Sequence, residues 1–146
     1  MDSGEYLKQR LQDQIDWYDK KSQWNQRWHK RLKAAEIFMA VLIPFLVGYI
    51  TETAPGIKLV VGFLGVIVAA IAGLVSLYKF QENWIEYRTT AESLQHEKYL
   101  YLTKTGPYDG GDAFNRLVER VEDMISKENT KWSRYIKKQK KEGENG

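Results

Sequence analysis

The sequence predicts an all-α membrane protein, a two-transmembrane-helix hairpin whose long helices extend into a cytoplasmic helical bundle. Residues 59–78 are 20 consecutive positions without a charge, a side-chain amide or a proline. A second apolar segment, residues 34–50, precedes them, and both polar flanks repeat apolar residues at helical spacing. A helix of about 20 apolar residues crosses a hydrocarbon core of about 30 Å. The 146 residues have room for one domain, which we expect to cover residues 1–140.

Residues 1–33 predict a cytoplasmic amphipathic helix. Residues 5–43 contain neither glycine nor proline, so the sequence does not interrupt a helix there. Apolar side chains recur every three or four positions at Leu7, Leu11, Ile15 and Tyr18, with charged residues between them. This spacing places the apolar side chains on one face of a helix.

Residues 34–50 predict transmembrane helix 1. These 17 residues are at the short end of the spanning range and include Pro44, which a membrane helix tolerates where a kink or a neighbour satisfies the freed carbonyl. Glu36 is expected at headgroup level beside Lys33, with a carboxylate on an ion pathway as the alternative. Residues 51–58 include the turn pair Pro55-Gly56 and can join only antiparallel neighbours, so they predict an external loop.

Basic residues concentrate on the outer flanks of the two apolar segments. Only Lys58 lies between the segments, whereas the flanks carry Arg27, Lys30, Arg31, Lys33, Lys79 and Arg88. Loops rich in lysine and arginine stay on the cytoplasmic side. We therefore expect an integral protein of an inner or plasma membrane, with the lipid bilayer as its surroundings and both termini in the cytoplasm.

Residues 59–78, the predicted transmembrane helix 2, have two different faces. Small residues follow one another at spacings of 3, 4, 4 and 3 and therefore share one face: Gly62, Gly65, Ala69, Gly73 and Ser76. Membrane helices pack closely through such small residues. Two interpretations remain open, packing against residues 34–50 of the same chain and a subunit interface in a homo-oligomer. The same face could also line a pore that closes by dewetting of apolar side chains.

The C-terminal half predicts the rest of the bundle. No glycine or proline occurs between residues 74 and 105, so we expect the second span to continue as one helix through a cytoplasmic extension, residues 79–104. Residues 105–112 break the helix, residues 112–140 form a C-terminal cytoplasmic helix, and residues 141–146 are a disordered tail. Apolar residues at 3.5-residue spacing up to Tyr101, and a further apolar stripe from Leu117 onward, mark the predicted seam: Trp84, Tyr87, Ala91, Leu94, Tyr101, Leu117, Val121, Ile125 and Trp132.

The basic run of residues 137–141, KKQKK, suits anionic lipid headgroups at the cytoplasmic leaflet, and a solvated tail is the alternative. The net charge of +3 is mild, so no nucleic acid is expected as a partner.

The sequence offers no catalytic or cofactor motif. The pair His96-Glu97 begins like a zinc-protease motif, but position 100, where the second histidine belongs, is Leu100. The chain has no cysteine, which excludes thiol nucleophiles, disulfides and cysteine-ligated metals. We expect no enzyme, no metal and no cofactor.

The polar flanks resemble a known family. The resemblance is carried by Trp28 to Lys33, by the set Trp84, Tyr87, Arg88, Ala91, Leu94, Glu97 and Tyr101, by Thr105 to Tyr108, and by Leu117 to Glu122 with Ile125, Glu128 and Trp132. These residues resemble the DUF4231 family, in the SLATT superfamily of two-transmembrane domains. The resemblance covers most of residues 15–135.

The resemblance implies a membrane effector of prokaryotic conflict systems, which forms pores when triggered. From it and the hairpin we expect an oligomeric two-transmembrane protein that forms a pore or channel in a defence-type system. The alternative is a membrane-anchored helical scaffold whose cytoplasmic bundle docks a partner protein. The family supplies no catalytic residues to carry over.

Overall fold

Helices account for every regular element in the part of the chain that the structure describes. The computed structural model describes residues 1–50 and 54–144, and for residues 132, 135, 139 and 142–144 it describes the backbone alone. A turn of helix, α1 (Ser3–Glu5), and a π-helical segment, Tyr6–Leu11, lead into α2 (Gln12–Val47). Then follow α3 (Pro55–Tyr78), α4 (Phe80–Leu102), a 3-10 turn (Gly106–Tyr108) and α5 (Ala113–Glu144). The predicted all-α class is confirmed.

The chain divides into two compact units. The first, which we call the bundle, combines Met1–Lys20 with Tyr87–Gly146. The second, which we call the hairpin, is Lys21–Glu86 and contains the two apolar segments. Helices α2 and α4 each contribute residues to both units.

Side-chain contacts show that the helices of the hairpin run antiparallel. The ring centroids of Trp24 and Phe80 are 6.1 Å apart, and Ser22 donates a hydrogen bond of 3.0 Å to the carbonyl of Trp84. Residues that precede the first apolar segment therefore meet residues that follow the second. The chain reverses between Val47 and Pro55, so one end of the hairpin holds both flanks and the other holds the short connection.

The helix ends at this connection differ from the predicted bounds. Helix α2 ends at Val47 rather than at residue 50, because Tyr49 and Ile50 bond to carbonyls three positions back, at Leu46 and Val47, in a tight turn. Helix α3 begins at Pro55 rather than at residue 59, since proline is pre-organised for the first helical turn. Of the predicted external loop, residues 51–53 lie outside the described residues.

The expected continuous helix from the second span into its extension is interrupted at Lys79. This residue has a left-handed backbone, with φ 47° and ψ 42°, between α3 and α4. The side-chain amide of Asn83 donates a hydrogen bond of 3.0 Å to the carbonyl of Tyr78, which satisfies an acceptor at the end of α3. The prediction relied on the absence of glycine and proline, and it missed a lysine in a conformation that side chains rarely adopt.

The bundle has a continuous apolar core that comes from five parts of the chain. Buried side chains from the π-helical segment, α2, α4, the 3-10 turn and α5 contact one another there: Tyr6, Leu11, Ile15, Tyr18, Ala91, Leu94, Tyr108, Leu117, Val121 and Ile125. The predicted periodicity of Leu7, Leu11, Ile15 and Tyr18 is the face of the N-terminal helix that enters this core.

Helix α4 ends in a left-handed cap that turns the chain toward the core. Lys104 has a φ of 53°, and the amide of Thr105 bonds to the carbonyl of Leu100 at 3.0 Å, as in a Schellman motif. Gly106 follows with a φ of 66°, which glycine adopts without strain. This turn delivers Tyr108 to the core, where its side chain is 1% exposed.

Helix α5 is longer than predicted and reaches Glu144. Residues 113–142 contain no glycine or proline, and Lys141 in the last turn interacts favourably with the negative end of the helix dipole. Of the expected disordered tail, residues 141–144 belong to this helix, and residues 145–146 lie outside the described residues.

Candidate functional site

Helix α3 is apolar along its length, and its own chain does not bury it. By length and composition, one helix among the described residues is suited to cross a membrane, and it lies in the helical run Pro55–Leu102. In the most apolar window of 18 consecutive residues within that run, no residue is buried. A soluble core helix with this composition would be covered by other parts of its protein. The exposed apolar surface therefore favours a lipid or protein environment outside the chain.

The larger side chains of α3 form a half-buried stripe. They recur at spacings of 4, 3, 4, 3 and 4: Ile57, Val61, Leu64, Val68, Ile71 and Val75. Helix α2 carries a matching half-buried stripe with 3–4 spacing: Leu32, Ala35, Met39, Leu42 and Leu46. Because both helices lie in one compact unit, we infer that each stripe is shielded by the other helix. In this inference the hairpin packs through large residues rather than small ones.

Within the described residues, the small-residue face of α3 is mostly exposed. Gly65 is half-buried, and Gly62, Ala69, Gly73 and Ser76 are exposed. A Cβ atom built on any of the three glycines meets no atom within 4 Å. At 3.6 residues per turn, this face lies about 120° around the helix from the half-buried stripe. Both open interpretations, packing against residues 34–50 of the same chain and a subunit interface, stay predictions.

Large apolar side chains on the outside of the hairpin are also exposed. Phe38 and Phe45 on α2 are 67% and 61% exposed, and Phe63 on α3 is 68% exposed. Leu59 and Val66 continue the exposed surface on α3. Exposed apolar patches of this kind mark contacts with other proteins or with a membrane.

The first apolar segment differs from the second in its charges. Because α2 ends at Val47, its last 18 residues include Lys30, Arg31, Lys33 and Glu36. Lys33 donates to both carboxylate oxygens of Glu36 at 3.1 and 3.2 Å, which pairs the one acid in the segment. This pairing agrees with the prediction that Glu36 stays beside Lys33. By length alone, the leg from Trp24 to Val47 spans about 35 Å at 1.5 Å per residue.

Aromatic rings gather at the flanking end of the hairpin. The ring of Phe80 is stacked on that of Tyr78 at 5.5 Å and contacts that of Trp24, which contacts that of Trp28 at 6.1 Å. Aromatic rings prefer the boundary between hydrocarbon and headgroups.

The bundle core contains a buried acid that two partners bind. The side chain of Glu97 is 4% exposed, and Arg120 donates to its two carboxylate oxygens at 2.9 and 2.6 Å. The hydroxyl of Tyr108 donates to the same carboxylate. The arginine bonds lower the pKa of Glu97 below its ordinary value of 4.5, against the opposing effect of burial. Burial first, and the bond to Glu97 second, raise the pKa of Tyr108 to about 12.

A second tyrosine, glutamate and arginine repeat this arrangement nearer the surface. Arg10 donates to both oxygens of Glu122 at 3.1 and 3.0 Å, and the hydroxyl of Tyr6 donates to Glu122 at 3.1 Å. The bond from Arg10 lowers the pKa of Glu122, and burial raises the pKa of Tyr6. Fully paired groups of this kind fix the register between the N-terminal helix and α5.

Chemically, these two clusters hold helices together. Every carboxylate oxygen in them accepts a hydrogen bond, so neither acid is poised to take a proton from a substrate. Within residues 1–50 and 54–144 there is no group of three or more histidine, cysteine, aspartate or glutamate residues that could hold a metal ion.

The structure brings most predicted seam residues into the bundle core. Ala91, Leu94, Leu117, Val121 and Ile125 are buried there, and Tyr87 and Tyr101 pack against it. Trp84 belongs to the hairpin instead, where it is half-buried and its carbonyl accepts the hydrogen bond from Ser22. The side chain of Trp132 lies outside the described part of the chain.

Sequence reasoning missed Tyr108 and understated Glu97. Tyr108 lies in the predicted helix break, where nothing in the apolar periodicity marks it as a core residue. The sequence did contain one signal: Tyr108 directly follows the pair Gly106-Pro107, which fixes a turn and so can direct the next side chain into the core. Glu97 is not among the apolar residues of the seam, and the signal for its burial was a pairing arginine, Arg120, on the next helix.

A family model described as "Protein of unknown function (DUF4231)" matches residues 13–115, more than half of the chain. No curated protein matches the chain. No solved structure matches it either.

Proposed function

The chain belongs to the DUF4231 family, and from that premise we propose that it is an oligomeric two-transmembrane protein that forms a pore or channel. The hairpin crosses the bilayer twice, so both flanks and both termini lie on one side, the cytoplasmic side. The exposed small-residue face of α3 contacts the next copy of the chain. The trigger belongs to a defence-type system, as the resemblance to the SLATT superfamily implies.

The observation that carries this proposal is the placement of the small residues. Within the chain, α3 uses large side chains to pack and leaves Gly62, Gly65 and Gly73 with open space at each Cβ. In lipid, apolar helices gain little from burying large side chains against each other, and small residues allow the close backbone contact that drives association. A free face of this type on an exposed apolar helix supports contact with another membrane helix.

For α2 to cross the bilayer, the charged residues near the start of its apolar segment must lie at the lipid headgroups. The leg from Trp24 to Val47 is about 35 Å long, against about 30 Å of hydrocarbon. Lysine and arginine near its start can extend to the interface while their stems stay in lipid. The aromatic contacts at Trp24, Trp28, Tyr78 and Phe80 support an interface at this end.

The test is release of a small dye from liposomes that contain the purified protein. Gly65→Leu and Gly73→Leu should reduce release at least tenfold, because the added side chains separate copies at the contact. The structure has room for each added Cβ within the chain, and leucine favours the helix over glycine, so the hairpin itself should fold. Absence of release from a folded oligomer would overturn the pore.

A scaffold is the second candidate, and exposed apolar residues on the bundle favour it. Trp17 is 47% exposed, Tyr99 is 56% exposed and Leu102 is 54% exposed. Tryptophan and tyrosine are frequent anchors of protein interfaces. If a partner docks there and the hairpin only anchors, replacing α3 with an unrelated transmembrane helix should keep partner binding and leave liposomes tight.

A further inference from the structure

The last part of α5 carries a basic face that the proposed pore does not use. From residue 129 to residue 141 the chain has six basic residues and no acidic one. Five of them line one open groove along the helix: Arg134, Lys137, Lys138, Lys140 and Lys141. Within the described residues, none of these five forms an ion pair or a hydrogen bond. Their charges are therefore available to an external anion.

The same stretch is amphipathic. At 100° per residue, positions 132, 135 and 136, which are tryptophan, tyrosine and isoleucine, share the side of the helix opposite the basic face. Ile136 is 56% exposed, so the bundle does not cover this side chain. A helix with lysines on one face and aromatic and aliphatic residues on the other is typical of helices that lie in a membrane interface.

Contacts in the bundle give the direction of α5. Arg10 pairs with Glu122, and eight positions further on, Tyr18 donates to Glu128 at 2.9 Å. Residue numbers increase together along both helices, so this part of α5 runs parallel to the start of α2.

We propose that residues 129–141 are a docking surface for the headgroups of anionic lipids, in the same bilayer that the hairpin crosses. The inference rests on the proposed membrane insertion. The binding partner is the phosphate-rich surface of the leaflet, whose negative charge matches the basic face. Each lysine or arginine near an anionic leaflet strengthens binding about fivefold. The aromatic side then enters the headgroup region. Docking makes the position of α5 depend on the charge of the leaflet.

The absence of cysteine from the chain allows a single-site test. Ile136→Cys in the full-length protein is labelled with a dye whose fluorescence a lipid-borne quencher reduces. The protein is reconstituted in phosphatidylcholine vesicles with and without about one-third phosphatidylglycerol. We expect at least tenfold stronger quenching with the anionic lipid than without it. This difference should disappear in about 0.5 M salt, because the Debye screening length there is only about 4 Å.

Two variants separate charge from fold. Replacing Lys137, Lys138, Lys140 and Lys141 with glutamine should abolish the effect of the anionic lipid, whereas replacing them with arginine should retain it. Two results would overturn the docking surface. One is equal quenching in the two kinds of vesicle for the protein with its four lysines, and the other is a glutamine variant that keeps the stronger quenching with anionic lipid. Flotation with the neutral vesicles tests insertion separately: failure to float there counts against the proposed function rather than against docking.

Discussion

Replacement of Arg120 by methionine tests the buried cluster of the bundle. The change removes two charge-assisted hydrogen bonds to Glu97 while keeping an unbranched apolar side chain in place of the aliphatic stem of the arginine. The carboxylate stays almost fully buried, with the hydroxyl of Tyr108 as its remaining partner among the bonds described above. An acid in this position loses its counter-charge without gaining water.

The magnitude follows from the exposure of the two partners. Breaking a fully buried ion pair costs about 3–5 kcal/mol. Here the acid is buried but the side chain of Arg120 is 49% exposed, so solvent already screens part of the attraction. We therefore expect the free energy of unfolding to fall by about 2–3 kcal/mol.

The assay is urea unfolding of the full-length protein in detergent, followed by circular dichroism. Arg88→Met is the matched control. Arg88 and Glu92 both lie on α4 and pair at 2.9 Å, and both side chains are more than half exposed. Its cost should be at most about 0.5 kcal/mol. Equal costs for the two variants would refute the reasoning that burial of Glu97 makes its pairing important.

The pH dependence provides a second check on the same pair. The pKa of Glu97 in the folded protein lies below its ordinary value of 4.5, so ionised Glu97 stabilises the fold above pH 4.5. This contribution is lost as the pH falls through the folded pKa. The stability difference between the wild type and Arg120→Met should therefore shrink below pH 4.5, and a constant difference would contradict the pairing.

Three further predictions concern the core, the tyrosines and the small-residue face. Leu94→Ala, at a side chain that is 0% exposed, should lower the free energy of unfolding by about 3 kcal/mol in the same urea assay. Tyr108 has a pKa of about 12 against an ordinary 10.0, so it stabilises the fold fully below pH 10 and loses this effect as the pH rises through about 12. Tyrosinate absorbance should therefore show that Tyr108 ionises only near pH 12, together with unfolding. Ionisation of Tyr108 near pH 10 in the folded protein would contradict its burial. Ala69→Leu should shift the oligomer to smaller species in light scattering of the detergent complex, whereas Ala70→Leu, on the neighbouring exposed face, should leave its size unchanged.

Periodicity predicted the helices of this chain well because apolar spacing reports burial directly. The stripe of Leu11, Ile15 and Tyr18 and the stripe of Ala91 and Leu94 both face the bundle core. Helix ends and breaks were harder to predict. Lys79 and Lys104 adopt left-handed backbones, although lysine carries no local signal for that conformation.

The interpretation of α3 needed three-dimensional information. On a helical wheel, the small residues and the large residues both form continuous faces, and either could close the hairpin. The half-buried stripe through Leu64 and Val68, with open space beside Gly65, is the basis for inferring which face packs inside the chain. The buried cluster of Glu97 likewise depends on Tyr108, which a turn brings back from a distant point of the chain.

Disulfide trapping in the native membrane tests most directly whether the small-residue face of α3 joins two copies of the chain. The chain has no cysteine, so Ala69→Cys and Ala70→Cys each introduce one thiol at adjacent exposed positions that are about 100° apart on the helix. Mild oxidation should cross-link the Ala69→Cys protein into dimers and leave the Ala70→Cys protein monomeric on denaturing gels. Equal cross-linking of both variants, or of Ala70→Cys alone, would contradict contact through this face.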